Sequence, residues 1–192
     1  MNARMLLLWP AVLVALSGLT TAAYGDLVVN GGFETGDFSG WTVSPSAMGG
    51  TYAVDNTGTY SHSGTCAAAL GPYGADGFLS QSIPTTAGQQ YQLTYWLANI
   101  PDAGGSVWNN DFEVSWGGAE IMASAILNAG PFSYTKYSFV VTGAAGSTPL
   151  SFGLRQDAKF FALDDVSVVL PEPATLSLLA LGGLAMIRKR RE

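Results

Sequence analysis

The chain has 192 residues, with eight Lys and Arg against fourteen Asp and Glu, a formal charge of −6 and one cysteine. Such a length allows one main domain plus targeting segments, and the lone Cys66 excludes an intramolecular disulfide. Residues 24–170 hold three basic side chains, Lys136, Arg155 and Lys159, against twelve acids, a formal −9. This argues against a nucleic-acid partner, which needs a basic face, and suits solubility or capture of a divalent cation.

The first element is a signal peptide over residues 1–23. Arg4 supplies the positive start, Met5 to Leu19 the apolar run, and Thr20-Thr21-Ala22-Ala23 the small-residue cleavage zone. Cleavage is expected after Ala23 or after Gly25, and an uncleaved anchor is the alternative. Either way the domain that follows is exported.

From residue 24 to 170 the pattern is strand and turn. Alternation marks Thr51 to Val54, Phe78 to Ile83, Gln90 to Leu97, Phe112 to Trp116, Thr135 to Val141, Leu150 to Leu154 and Phe160 to Val169, with the aromatic and β-branched enrichment of half-buried antiparallel strands. Gly, Pro, Asn and Asp clusters punctuate them at sandwich-like intervals. No helical period of useful length and no internal repeat interrupts them. The fold expected is all-β, an antiparallel β-sandwich of jelly-roll type, and roughly 145 residues suffice for its core. Trp41, Trp96, Phe139 and Phe161 fall in strand patterns and are expected in that core. Cys66, in the small apolar run to Leu70, reads as a buried inert thiol.

Three motifs sharpen the fold. The domain opens on Leu27-Val28-Val29-Asn30-Gly31-Gly32-Phe33-Glu34, turns at Ser61-His62-Ser63-Gly64 before an apolar strand, and closes on Phe161-Ala162-Leu163-Asp164-Asp165-Val166. In order, these resemble the galactose-binding-like jelly rolls that include many carbohydrate-binding modules. The resemblance implies first and last strands lying side by side around a structural calcium. Glu34 and Asp164 would supply carboxylates, and backbone carbonyls around Ser63 and Gly64 would complete the oxygen shell that calcium prefers. Strand alternation puts Leu163 and Asp165 on one face and Asp164 on the other, which favours Asp164 over Asp165; solvent-exposed acids at strand ends are the alternative. Asp102 and Glu113 have the spacing of the ends of an EF-hand loop, but Val107 stands where that loop needs Gly, and no flanking helices are predicted.

The chain ends on Pro171-Glu172-Pro173, fourteen uncharged residues from Ala174 to Ile187, and Arg188-Lys189-Arg190-Arg191. As a helix the apolar stretch spans about 21 Å, short of a hydrocarbon core of about 30 Å, and flanking Arg and Lys snorkel across part of the difference. The basic cluster places the tail inside and the domain outside. Pro-Glu-Pro, apolar helix and basic end in this order resemble the PEP-CTERM sorting signal, over residues 171–192. That resemblance implies a membrane-bound intermediate, an exosortase cutting near Pro171-Glu172-Pro173, and delivery to the cell surface or the extracellular polysaccharide matrix.

Little points to catalysis. His62 is the only histidine, and no nucleophile elbow, P-loop or dinucleotide fingerprint is present. Glu113 and Glu120 supply the two carboxylates glycoside hydrolysis needs, with nothing to set them across a cleft. Sugar rings stack on aromatic faces, and the aromatics in polar, Gly-rich loops are Tyr52, Tyr60, Tyr73 and Trp108; packing beneath the loops is the alternative for each. The function expected is that of an exported, non-enzymatic surface or matrix protein associating with extracellular polysaccharide. The alternatives are an adhesive biofilm protein without a sugar site and a small glycan hydrolase.

Overall fold

The computed structural model describes residues 25–105, 109–157 and 159–171. The expected signal peptide, Trp108, Glu172 and Pro173, the apolar stretch 174–187 and the basic cluster Arg188 to Arg191 lie outside the described residues. Pro171 lies within them and is exposed. Among the described residues no helix is long and apolar enough to cross a membrane.

The strands are β1 (Thr42–Ser44), β2 (Gly50–Asp55), β3 (Ala67–Pro72), β4 (Gly77–Thr85), β5 (Gln90–Ile100), β6 (Asn110–Trp116), β7 (Ala119–Glu120), β8 (Ile126–Leu127), β9 (Phe132–Thr142), β10 (Gly146–Gln156) and β11 (Phe160–Val169). They form two antiparallel sheets. Sheet A runs β1-β4-β10-β6-β7, with β8 also on β6, and sheet B runs β2-β3-β11-β5-β9. The described residues therefore form an all-β, two-sheet antiparallel sandwich.

Alternation decides what lies between the sheets. Leu79 and Ile83 of β4, Phe112, Val114 and Trp116 of β6, and Leu150, Phe152 and Leu154 of β10 face in from sheet A. Tyr91, Leu93, Tyr95 and Leu97 of β5 with Phe161 and Leu163 of β11 face in from sheet B. At the centre Tyr95 stacks on Tyr137 at 5.1 Å and meets Phe152 edge-on at 5.3 Å, while Phe112 packs on Phe161 at 5.5 Å. Burying such rings contributes about 1.5–3 kcal/mol each, which holds the sandwich without a disulfide. Cys66 is buried and free.

Three features depart from the sequence pattern. Strand β3 is buried on both faces, so its residues read as a continuous apolar run rather than an alternation. Trp96 is not core: the inward positions of β5 belong to Tyr91, Leu93, Tyr95 and Leu97, and Trp96 stands half-buried on the outer face of sheet B. Phe139 packs only partly buried at the core's edge, because β9 is the last strand of its sheet. Trp41 and Phe161 are buried as expected.

Candidate functional site

Three stretches distant in sequence meet at one corner: the opening turn 30–34, the β2–β3 loop at 62–66, and β11 at 164–166. The opening segment forms turns rather than a strand, yet it docks on β11. The Leu27 N–H donates to Val168 O at 3.0 Å, and the Val166 N–H donates to Gly31 O at 3.0 Å. On β11 the register shifts between Asp164 and Ser167 and Asp165 takes a left-handed φ of +47°. This bulge resets the alternation, so Val166 and Val168 join Leu163 in the core.

The loop then delivers its N–H groups to two carboxylates. Asp164 is 0% exposed. Its Oδ2 accepts the N–H groups of His62 at 2.8 Å and Ser63 at 3.2 Å, and its Oδ1 accepts the N–H of Asp165 at 2.7 Å. Glu34 Oε1 accepts the N–H groups of Thr65 and Cys66, both at 2.9 Å, and Oε2 accepts the Thr65 hydroxyl at 3.1 Å. Asp165 adds the Ser63 hydroxyl at 2.7 Å and His62 Nδ1 at 2.6 Å. Gly64 makes this turn possible. Its φ is +59°, and a Cβ there would lie 2.2 Å from Glu34 Oε1, so the left-handed turn and the close approach both demand Gly.

The two carboxylates differ in their electrostatics. The Cys66 and Thr65 N–H groups hold Glu34 below its ordinary pKa. Burial pushes Asp164 up to about 6 against its hydrogen bonds from Ser63, His62 and Asp165. The structure thus brings together Glu34, Ser63, Gly64 and Asp164. A carboxylate offers about four lone-pair sites, so Glu34 and Asp164, each with three donors, retain one apiece. Oxygen donors of this kind fit a hard cation in chemistry. Among the described residues no three His, Cys, Asp or Glu side chains are arranged to hold a metal, so an ion at this corner would draw on backbone carbonyls as well.

The same loop straps the outer face of sheet B. His62 stacks on Trp96 at 3.8 Å between ring centroids and meets Tyr134 edge-on at 5.2 Å. Tyr60 meets Phe160 edge-on at 5.0 Å, and the Tyr134 hydroxyl donates to Tyr60 O at 2.5 Å. Beneath lie Ala69, Ala162 and Ala98, paired across three strands. Tyr60 is therefore engaged in packing. Tyr52 is also half-buried, and its hydroxyl accepts the Ser46 N–H at 2.7 Å.

Tyr73 is different. It is 51% exposed just after β3, in a turn tied to the residue that follows β10 by the Gly74 N–H on Asp157 Oδ1 at 2.9 Å. The outer face of sheet A holds residues that sequence reasoning did not single out. Phe78, 41% exposed, stands in register with Gly153 of β10, and Gly153 with Glu113 of β6. Because Gly153 has no side chain, the Phe78 ring and the Glu113 carboxylate close over it. A Cβ there would lie 2.8 Å from Glu113 Oε1 and 3.0 Å from Phe78 Cε1. Ser80 and Ser151 pair beside this row, and Arg155 pairs with Asp111 and forks onto Asp157. Burial and Asp76 push Asp111 up to about 6, and burial with Glu120 and Asp76 raises Glu113. The signal available in the sequence was the shared parity of Phe78, Ser80 and Ser82, which predicts an aromatic ring on a polar face.

No protein-family model matches the chain, and no curated relative matches it. Solved structures do match in fold. The enzymatically active domain of tailspike protein 4 of bacteriophage CBA120 superposes with a TM-score of 0.56 and 18% identity over 76% of this chain and 21% of that one, so the chain spans about a fifth of that protein. The carbohydrate-binding module TmCBM61, solved with β-1,4-galactotriose, gives 0.52 and 19% over 77% of this chain and 99% of that one. The K3 cleaved adhesin domain of Lys-gingipain from Porphyromonas gingivalis W83 gives 0.51 and 16% over 75% and 98%. The fold is that of carbohydrate-binding-module sandwiches.

Proposed function

We propose that this chain is an exported, non-enzymatic surface or matrix protein that binds extracellular polysaccharide on the outer face of sheet A. The observation that carries the reading is the row Phe78–Gly153–Glu113. An exposed ring stands beside a carboxylate on an open sheet face, with Asp111 and Arg155 paired further along it, and Tyr73 is exposed just after β3. A sugar ring stacks on the aromatic face, and the acids and serines read its hydroxyls. The sandwich shared with a module solved with β-1,4-galactotriose supports the ligand class. Glu113 and Glu120 stand on one face of one sheet, since Glu120 pairs with Ser115 of β6.

Affinity electrophoresis through gels containing different polysaccharides tests this. The protein is expected to be retarded by at least one, and Phe78→Ala and Tyr73→Ala are each expected to weaken binding about tenfold, the loss of about 1.4 kcal/mol of stacking. Migration unchanged by every polysaccharide would remove the sugar site and leave adhesion through protein contacts.

Two further parts belong to the proposal. A structural calcium sits at the corner of Glu34 and Asp164, with carbonyls of Ser63 and Gly64. The burial that pushes Asp164 up to about 6 is a cost that a divalent cation relieves. Melting with added calcium should raise the Tm and EDTA should lower it; a Tm indifferent to both rules the ion out. After export through its signal peptide, the protein is held in the membrane by the tail that follows Pro171-Glu172-Pro173 until an exosortase cuts there, so the mature protein should have a mass lacking residues 174–192.

A further inference from the structure

Strand β9 is the last strand of sheet B and, among the described residues, pairs with β5 alone. One row of its N–H and C=O groups therefore faces away from the sheet. The other edges are blunt. Strands β1, β7 and β8 have three, two and two residues, and β2 opens on Gly50 at φ +132° and closes on Asp55. Strand β9 has eleven residues with no Pro, no Gly, no acid and a single charge, Lys136, in a domain of formal −9. Soluble proteins usually guard such an edge with several charges, a proline or a bulge facing out. On β9 the register shift opposite Leu97–Asn99 lies at its first residues, 132–135, and the Trp116 indole takes the carbonyl of its last, Thr142, which leaves the stretch from Lys136 to Val141 regular and unguarded.

We propose that β9 is a self-association edge. Two copies of the chain pair it antiparallel about a two-fold axis at Ser138, joining two five-stranded sheets into one of ten strands. The sequence of β9 is self-complementary about that residue. Tyr137 stands opposite Phe139 twice, Thr135 opposite Val141, and Lys136 opposite Val140. The rings of Tyr137 and Phe139, left half-buried at the core's edge, then cover one another, and aromatic cross-strand pairs are among the favourable ones. An axis at Lys136 would instead oppose two ammonium groups.

The surroundings fit a second copy as well. Val140 is 59% exposed on the strand, and Met122 and Leu127 are each 75% exposed on the edge of sheet A. That edge lies on the same side of the sandwich, where Trp116 Nε1 donates to Thr142 O at 2.8 Å. Acidic side chains are absent from the strand itself, so no carboxylate of one β9 faces a carboxylate of the other across the seam. The outer face of sheet A, with Phe78 and Tyr73, stays open in such a dimer, but the proposal does not depend on what binds there.

The test is cross-linking and sedimentation of the full chain in mild detergent. In the Ser138-centred register the two copies of residue 138 face each other at about 5 Å between Cα atoms, within disulfide reach. Copies of residue 140 lie about 13 Å apart along the strands. Under mild oxidation Ser138→Cys should give a disulfide-linked dimer and Val140→Cys should not. Cys66 is buried and does not compete. Val140 is exposed, so its substitution leaves the monomer folded. Val140→Lys, which sets a lysine opposite Lys136 of the mate, should weaken dimerisation at least tenfold, and Val140→Glu should strengthen it. Equal cross-linking at 138 and 140, equal effects of Lys and Glu at 140, or a wild-type chain that stays monomeric at about 0.1 mM would each overturn the proposal.

Discussion

Asp164→Ala is expected to destabilise the domain by about 3 kcal/mol at pH 4, read as a lower urea midpoint with an unchanged m-value. The side chain is fully buried and accepts three backbone N–H groups, those of His62, Ser63 and Asp165. Truncation leaves these donors without an acceptor in a place water reaches poorly, at about 1 kcal/mol or more each. It also frees the loop that carries His62 onto Trp96, so the quenching of Trp96 by its stacked imidazole should be lost in the same titration. The pH dependence has a definite sign. With calcium chelated by EDTA, burial pushes Asp164 up to about 6 in the folded state, above the ordinary carboxylate near 3.9 of the unfolded chain. The folded protein therefore holds this proton longer, and wild-type stability from this group falls as pH rises from about 4 to about 6 and is level beyond. The gap between wild type and Asp164→Ala should narrow over that window. A loss below about 1 kcal/mol, or a gap that widens from pH 4 to 6, would mean that Asp164 does not hold the loop.

Periodicity made the sandwich legible. The strands at 78–83, 90–97 and 160–169 were visible because one face of each is core and the other is not, and an alternating face is the signal a half-buried strand leaves. Strand β3 left no such signal because the strap through Tyr60 and the core bury both of its faces. Trp96 illustrates the same gap from the other side. Its parity with Thr94 and Gln92 gives its face, but the ring of His62 that covers it comes from a loop only the fold brings near. The corner at Glu34 and Asp164 was accessible through its motifs, whereas the left-handed Asp165 that resets the parity of β11 was not, since an acid in an alternating run looks like any outward residue. The row Phe78–Gly153–Glu113 depends on the register of three strands distant in sequence. Parity shows that Phe78 faces out, and only the register shows that a glycine lies beside it and a carboxylate beyond.

Gly31→Ala is expected to have an effect of similar size from the opposite side of the same corner, about 3 kcal/mol or more. Gly31 lies where the opening turn crosses β11. A Cβ on it would fall 1.9 Å from Val166 O and 3.0 Å from Val166 C, while its own carbonyl accepts the Val166 N–H at 3.0 Å. The obstacle is backbone on a central strand of sheet B, so no rotamer change relieves it. Either β11 shifts at its bulge, where Val166 packs in the core, or the segment 27–34 lifts off. Overpacking against a strand usually costs 1–3 kcal/mol. Lifting the segment adds the hydrogen bonds of Leu27 and Val166 and the anchoring of buried Phe33, which stacks on Trp41 at 5.7 Å. The two outcomes separate in limited proteolysis. If the segment lifts, cleavage near residues 27–34 accelerates while the rest of the domain stays resistant; if β11 shifts, the whole domain melts earlier as one unit. Gly130→Ala serves as the control, because nothing lies within 4 Å of a Cβ there, and it should stay within about 0.5 kcal/mol of wild type. Wild-type stability and wild-type proteolysis in Gly31→Ala would show that the chain's opening turn does not lie against β11, and the corner that joins Glu34 to Asp164 would then have no fixed geometry.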